Sequence, residues 1–288
     1  MNPLCIAAPA KINWRLKIVG RRPGGYHLLC GLMQTISLAD TVYLRESRQD
    51  TCRISPECGL TQEDDLAYKA WLLLKRELAL TCCLEIVTEK RIPLGGGLAG
   101  GSADAAAVLK GANELFGLGL SREELSTLGL KLGADIPFCL MGGSAKAQGV
   151  GERLTPLPPP PPLPLLLVNP GISLPTGEVY ARYAKSGLAF ALEQAEEAAC
   201  VKMSLALQQG DVPAINALLE NDLAAAAREV CPAIAELEGR LTALGLLPLI
   251  SGSGGTVFAL AKNAADLAKA RQALKDIPWV VEAYTVNG

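Results

Sequence analysis

Residues 93–104 read Pro93-Leu94-Gly95-Gly96-Gly97-Leu98-Ala99-Gly100-Gly101-Ser102-Ala103-Asp104, and they place five glycines directly before a pattern typical of a helix. Glycine lets backbone amides approach an anion because no side chain intervenes, and a helix N-terminus adds oriented N–H donors. The stretch therefore predicts a cradle for phosphate groups. The alternative, a turn whose glycines only permit close packing, stays open at this point.

Two better-known phosphate-binding motifs do not fit this stretch. Gly95, Gly97 and Gly100 spell the G-x-G-x-x-G of dinucleotide-binding folds, which place an acidic residue at a strand end about 20 residues further on. Residues 121–124 instead read Ser-Arg-Glu-Glu, the start of a helix. A Walker A loop requires a lysine after its last glycine, and no lysine stands at that position here. A nucleotide-dependent oxidoreductase is therefore disfavoured.

Composition bounds the class of protein. A chain of 288 residues favours two domains. Its 27 basic and 29 acidic residues give a net charge of -2, which excludes a bulk basic field for nucleic acid or anionic membranes. Half of the residues are hydrophobic but only 5% are aromatic, so alanine, leucine and valine must build the core. We expect neither a nucleic-acid nor a membrane partner.

Cysteine and histidine usage argues against a protein-built metal site. The nine cysteines form no Cys-x-x-Cys pair and His27 is the single histidine, so no metal ligands are predicted. The N-terminus lacks the charge order of a signal peptide, and no apolar run approaches the roughly 20 residues of a membrane span. We expect a soluble, cytoplasmic protein with reduced, buried thiols.

Periodicity predicts alternating strands and helices, which indicates a mixed α/β construction of the α+β class. Residues 11–18 alternate strictly, so they form a strand with Lys11 and Asn13 on its polar face. Further strands are predicted at 41–45 and 82–87. Helices are predicted from a cap at Asp64 or Asp65 to about 78, from Ser102 to Gly117, and from the capping-box pair Ser121 and Glu124.

A proline-rich segment divides the chain. Residues 156–164 hold seven prolines, which predicts a stiff polyproline II stretch. It is either a ligand for a proline-recognition module or a spacer, and the spacer is favoured, so the predicted domains are 1–157 and 158–288. Beyond it we expect a strand at 165–168, a helix capped by Thr176, helices over about 189–245, and a final strand–loop–strand–helix–strand run.

Three segments resemble the three motifs of the GHMP kinases, the family of galactokinase, homoserine kinase and mevalonate kinase. They are Ala8–Asn13, Pro93–Ala106 and Ser251–Gly255, and they stand in the family's order. The resemblance implies the GHMP kinase fold, with an N-terminal ribosomal-S5-like domain and a C-terminal ferredoxin-like domain. It also implies ATP and Mg²⁺ as cofactors, with Mg²⁺ held mainly by the ATP phosphates.

Three more segments are similar to the family members that act on cytidine diphosphate-methylerythritol in the non-mevalonate isoprenoid pathway. They are Gly24–Leu29, Gly133–Phe138 and Asn169–Thr176. This resemblance implies a small-molecule kinase that phosphorylates the 2-hydroxyl of that substrate. A mevalonate or homoserine kinase, and a non-catalytic binding protein of the same family, are the alternatives. The sequence predicts no oligomeric state.

The same resemblance makes Asp135 the base that accepts the hydroxyl proton and Lys11 the charge that stabilises the transferring phosphoryl group. The residues alone leave other roles open. Asp135 stands before Pro137, where an aspartate often caps a helix, and Lys11 by itself reads as an ordinary solvated lysine.

The resemblance also assigns the binding residues. Lys90 either adds charge near the phosphates or is a surface lysine. Asn13 is expected to contact the substrate, and the loop 252–255 either helps to place it or is a hairpin turn. The residues expected around the ATP phosphates are Pro93, Gly95, Gly96, Gly97, Leu98, Ala99, Gly100, Gly101 and Ser102.

Cytosine recognition is expected from Tyr26 and His27, with Tyr180 as a second aromatic wall. The chain departs from the family pattern at two positions. Asp65 stands where an asparagine is common, and Gln148 stands where an arginine is often found. Neither departure touches the catalytic assignment.

Overall fold

The computed structural model describes residues 2–57 and 59–287, which group into two compact units. Unit 1 comprises Met1–Ala10, Leu38–Ile92 and Ala99–Gly142, and unit 2 comprises Lys11–Ser37, Pro93–Leu98 and Gly143–Gly288. Strands β1 (Leu4–Arg21) and β2 (His27–Ser47) each have residues in both units. The predicted boundary near residue 157 lies inside unit 2, and the division into 1–157 and 158–288 stays a prediction.

Unit 1 combines strands with four helices. Strand β4 (Cys83–Glu89) pairs antiparallel with the end of β2 and parallel with β3 (Thr51–Ser55). The helices are α1 (Leu66–Glu77), α2 (Gly100–Leu115), α3 (Arg122–Leu130) and α4 (Ile136–Met141).

The core of unit 1 depends on small residues in α2. Alternation along β2 and β4 buries apolar side chains on one face, among them Leu44 and Ile86. A Cβ on Gly111 of α2 would lie 2.2 Å from Ile6 Cδ1 and 2.4 Å from Leu44 Cδ1. Glycine at this position therefore lets the helix approach the strands closely.

The predicted helix starts in unit 1 are mostly confirmed. Asp65 caps α1, because its Oδ1 accepts a hydrogen bond of 2.8 Å from the backbone N–H of Ala67. Ser121 and Glu124 form the expected reciprocal capping box of α3. The predicted start of α2 at Ser102 is two residues too far along the chain, because the helix begins at Gly100.

Unit 2 contains two groups of strands. In the first, β5 (Ser144–Gly149) pairs antiparallel with β2 and with β6 (Arg153–Leu157), and β8 (Glu220–Asn221) pairs parallel with β1. The second is a four-stranded sheet in the order β11 (Trp279–Tyr284), β7 (Pro164–Asn169), β10 (Val257–Leu260), β9 (Pro248–Ile250). The helices are α5 (Thr176–Lys185), α6 (Glu193–Gln209), α7 (Val212–Leu218), α8 (Ala224–Val230), α9 (Ala233–Ala243) and α10 (Ala264–Ala273).

The four-stranded sheet confirms the expected ferredoxin-like part. Its strands lie in the spatial order fourth, first, third, second along the chain, and each neighbouring pair is antiparallel. Helix α10 connects β10 to β11, and helices also separate β7 from β9. This is the split β-α-β arrangement.

One alternative and one prediction about unit 2 need correction. The strand expected at 11–18 is present as part of β1, but its polar face is not solvated, because Lys11 and Asn13 are only 4% and 1% exposed. The alternative that Lys11 is an ordinary solvated lysine is therefore wrong. Thr176 does not cap α5, since Pro175 occupies the cap position and the Thr176 hydroxyl lies 2.9 Å from that of Ser253.

None of the eight cysteines within residues 2–57 and 59–287 forms a disulfide, and five of them are buried. Cys58 lies outside these residues. In the same described part of the chain, every helix is too short or too polar to cross a bilayer.

Candidate active site

The two glycine-rich loops of unit 2 pack backbone against backbone. The Ser251 hydroxyl donates to the carbonyl oxygen of Gly97 over 3.0 Å, and the Thr256 N–H donates to that of Gly96 over 3.1 Å. A Cβ on Gly97 would lie 2.0 Å from the Ser251 carbonyl oxygen. A Cβ on Gly255 would lie 2.7 Å from that of Gly95. Close packing of the two loops therefore explains why Gly97 and Gly255 are glycines.

Lys11 lies against the first glycine loop. Its Nζ donates to Asn13 Oδ1 over 2.7 Å and to the Gly97 carbonyl oxygen over 3.3 Å. Its backbone N–H donates to the carbonyl oxygen of Leu98. The structure thus brings together two of the sequence motifs, and it holds the lysine ammonium next to loop backbone.

The second glycine loop also lies next to the side chains of Lys11 and Asn13. A Cβ on Gly252 would lie 3.3 Å from Lys11 Nζ and 3.6 Å from Asn13 Oδ1. The Asn221 side-chain amide donates to the carbonyl oxygens of Ile250 and Gly252, each over 2.8 Å, and so fixes their direction. Sequence reasoning missed Asn221, because only the fold brings β8 to this loop.

The beginning of α2, in unit 1, suits an anion. Ala99 precedes the helix in the left-handed conformation, and no side chain caps the helix. The first turn holds Gly100, Gly101 and Ser102 and has no acidic residue. The N–H groups of a first turn have no partner within the helix, and they favour negative charge. The local geometry therefore fits a phosphate group.

Lys90 is not a surface lysine, and a Cβ on Gly100 at the start of α2 would lie 3.3 Å from its Nζ. It is buried and forms ion pairs with Asp40 and with Asp104, the latter over 2.6 Å. Asp40 also accepts from the backbone N–H groups of Arg91 and Ile92, over 2.5 and 2.8 Å. These contacts connect the chain before the glycine loop with the helix that follows it.

The Asp40–Lys90–Asp104 cluster holds one basic and two acidic groups. Burial raises the pKa of Asp104 to about 7; the Lys90 charge opposes this rise and the Asp40 charge adds to it. Among the described residues, Asp104 Oδ1 is buried without a hydrogen-bond partner. The second negative charge is thus incompletely neutralised.

Asp135 stands at the N-cap position of α4, but its side chain makes no capping hydrogen bond. The capping alternative for Asp135 therefore lacks the contact that would define it. The neighbouring Gly133 places this segment near α2, since a Cβ there would lie 3.7 Å from the Ser102 hydroxyl.

An aromatic cluster in unit 2 contains two of the three residues expected to recognise a base. The His27 ring stacks on Tyr180 with centroids 5.4 Å apart and an interplanar angle of 28°. Tyr183 meets the same imidazole at 5.5 Å and 80°. Tyr26 is 72% exposed, on a turn closed by hydrogen bonds from Arg22 to Tyr26 and from Gly25 to Arg22.

The pKa of His27 is lowered, chiefly by burial of the ring and to a smaller extent by the charge of Arg21. The imidazole is therefore neutral near pH 7, with one donor and one acceptor nitrogen. Sequence reasoning missed Tyr183, although its spacing of three from Tyr180 on a helix was a usable signal.

The two departures from the family pattern have structural roles. Asp65 caps α1 and also accepts from the Cys52 thiol over 3.3 Å. Gln148 donates to Glu193 over 3.0 Å and to Glu197 over 2.9 Å.

Within residues 2–57 and 59–287, no group of three or more histidine, cysteine, aspartate or glutamate side chains could hold a metal ion.

Comparison with known proteins gives matches along most of the chain. The model of the GHMP kinases N terminal domain matches residues 65–143, and that of the GHMP kinases C terminal matches residues 203–278. The chain is 38% identical over 288 residues to the 4-diphosphocytidyl-2-C-methyl-D-erythritol kinase of Geobacillus sp., covering 99% of this chain and 97% of that protein.

A protein of the same name from Alkaliphilus metalliredigens is 37% identical over 266 residues, which are 91% of this chain and 89% of that protein. Among solved structures, the crystal structure of 4-(cytidine 5'-diphospho)-2C-methyl-D-erythritol kinase matches with a TM-score of 0.81 and 34% identity. It covers 99% of this chain and 100% of its own. The similarity therefore extends through both units.

Gly97→Ala should lower the free energy of unfolding by roughly 1–3 kcal/mol, because the added methyl meets backbone and the residue has a φ of +72°. Urea unfolding measures the change. The matched control is Gly239→Ala at an exposed position of helix α9, where a Cβ meets nothing within 4 Å. That variant should gain about 0.5–1 kcal/mol. Wild-type stability of Gly97→Ala would contradict the packing of the two loops.

Asp104→Asn should gain stability relative to the wild type as pH rises from about 5 to about 8. Because the folded-state pKa of Asp104 is raised to about 7, the folded chain keeps a proton that the unfolded chain releases. The contribution of Asp104 to the free energy of unfolding therefore falls through this window and stays low above it. Urea unfolding at both pH values measures the difference. Exposed Asp64→Asn in the same unit is the control, and equal pH dependence of the wild type and Asp104→Asn would refute the explanation.

Proposed function

The chain belongs to the GHMP kinases, and we propose that it transfers the terminal phosphoryl group of ATP to the 2-hydroxyl of 4-diphosphocytidyl-2-C-methyl-D-erythritol. The observation that supports this substrate most directly is the aromatic cluster. His27 stacks on Tyr180, and Tyr26 directly before His27 exposes its ring. Mevalonate and homoserine have no base to stack, so such a cluster favours a nucleoside-containing substrate.

We assign phosphate binding to backbone N–H groups rather than to arginine side chains. The uncapped first turn of α2 offers N–H donors through Gly100, Gly101 and Ser102. The loop Pro93–Leu98, fixed by its packing on the second glycine loop, completes the ATP-phosphate motif of the proposal. Mg²⁺, held chiefly by phosphate oxygens, would neutralise phosphate charge.

Lys11 supplies positive charge to the transferring phosphoryl group. Its ammonium is held by the oxygens of Asn13 and Gly97, so its position is set before substrate arrives. Phosphoryl transfer has little covalent chemistry for a protein to perform, and positioning with charge stabilisation accounts for most of the rate. A buried, pre-oriented lysine fits that requirement.

Asp135 accepts the proton of the substrate hydroxyl. Its side chain makes no capping bond although it occupies the cap position, which is consistent with a role outside helix formation. The proton transfer lets the hydroxyl oxygen attack phosphorus without a full positive charge developing on it. Asn13, beside Lys11, is proposed to contact the substrate.

The substrate assignment predicts that the cytidine substrate releases ADP from ATP, whereas mevalonate and homoserine do not. Coupled ADP release measures each activity. Tyr26→Ala should raise the KM for the cytidine substrate by about 5- to 150-fold, since a base–aromatic stack contributes roughly 1–3 kcal/mol. The KM for ATP should not change. Tyr284→Ala, at another exposed tyrosine, is the matched control, and an unchanged substrate KM in Tyr26→Ala would exclude the stacking role.

Asp135→Asn should lower kcat by about 10²–10⁴, with the low end expected for a loose transition state. Asparagine keeps the size and the capping ability of the side chain but not its basicity. Asp211→Asn is the control, because Asp211 does cap a helix, accepting from the Ala214 N–H over 3.1 Å. Steady-state kinetics and melting curves are measured together. Wild-type kcat in folded Asp135→Asn would rule out the base.

A further inference from the structure

His27 is held by two tyrosines of one helix rather than by one. Tyr180 and Tyr183 are three residues apart on α5, so they share a face of the helix. Tyr180 is half-buried and covers the plane of the imidazole, whereas Tyr183 is only 4% exposed and meets it nearly perpendicularly. Two ring contacts from different directions restrict the imidazole more than a single stack, which leaves a ring free to slide.

Tyr183 is itself fixed in its surroundings. Burial, followed by the Asp222 charge, raises the pKa of Tyr183, while the Lys17 charge opposes the rise, so its phenol stays neutral. Lys17 and Asp222 are ion-paired to each other over 2.6 Å. The charged group that acts on His27 is Arg21. The imidazole thus has an uncharged aromatic neighbour on the side of Tyr183.

We propose that Tyr183 is a positioning residue for base recognition, which acts by holding the imidazole of His27 in the orientation that meets the edge of the pyrimidine. This inference rests on the proposed function. Cytosine and uracil differ at the positions that one ring nitrogen can test, because N3 is an acceptor in cytosine and a donor in uracil. A loosened imidazole can adapt to either base, so its fixed orientation favours one of them.

The chain offers a direct readout of this contact, because His27 is its single histidine. Its ring protons give one set of imidazole signals in the NMR spectrum of the whole protein without substrate. Tyr183→Leu should shift these signals, through loss of the ring current, and should raise the pKa of His27 towards its ordinary value because apolar cover is lost. Tyr183→Phe keeps the ring and should leave both close to the wild type.

The kinetic arm measures KM and kcat for the cytidine substrate, for its uridine analogue and for ATP. In Tyr183→Leu the KM for the cytidine substrate should rise about 5-fold or more, the size of one lost hydrogen bond. The preference over the uridine analogue should shrink, with kcat and the KM for ATP unchanged. Phe258→Leu, which removes another fully buried ring of unit 2, is the control for a general packing loss.

The outcomes separate the two proposals. If the wild type does not use the cytidine substrate, the proposed function fails, while the NMR signals still report whether Tyr183 holds His27. If the wild type does use it, unchanged signals and KM in Tyr183→Leu overturn the inference. Equal effects of Phe258→Leu and Tyr183→Leu on KM, or a Tyr183→Phe that behaves like Tyr183→Leu, overturn it as well. Should Tyr183→Leu not fold, Tyr183→Met serves in the same two measurements.

Discussion

The contact between two glycine loops sets the geometry on which the proposed phosphate-binding residues of unit 2 depend. The Gly97 carbonyl oxygen accepts from Lys11 Nζ and from the Ser251 hydroxyl, using both of its lone pairs. Ser251 and Gly97 are 154 positions apart in the chain. Because no side chain fits between the loops, their backbones approach closely, and the buried ammonium has an oriented carbonyl to bind. A larger residue at Gly97 would displace the lysine together with the loop.

Two buried lysines of this chain lie in different surroundings. Lys90 is ion-paired with Asp40 and Asp104, so its charge is taken up by the packing of α2 in unit 1. Burial by itself would lower the pKa of Lys90, but the charges of Asp104 and Asp40 outweigh it and raise the pKa. Lys11 Nζ donates to the amide-type oxygens of Asn13 and Gly97, which orient its ammonium. The proposal that Lys11 acts on phosphate rests on this fixed position.

The parts of the fold that follow from local chemistry could be predicted from the sequence. The capping box at Ser121 and the strand through Lys11 depend on near neighbours, and the structure contains both. The surface alternative for Lys90 and the predicted cap at Thr176 are wrong because their partners, Asp40 and Ser253, are distant in sequence. The sequence leaves the packing role of the glycines open, since nothing in residues 93–104 reveals the loop that they meet.

The cluster proposed for base recognition shows why a motif names residues but not their partners. Tyr26 and His27 belong to one short segment, and that segment gives no sign that His27 meets two rings of α5. An imidazole on a surface turn without such contacts would sample several orientations and would be charged more readily. Burial against Tyr183 acts on both properties, because the ring that restricts the imidazole also excludes water from it. The lowered pKa of His27 then has two causes, its burial among the neighbouring rings and the charge of Arg21.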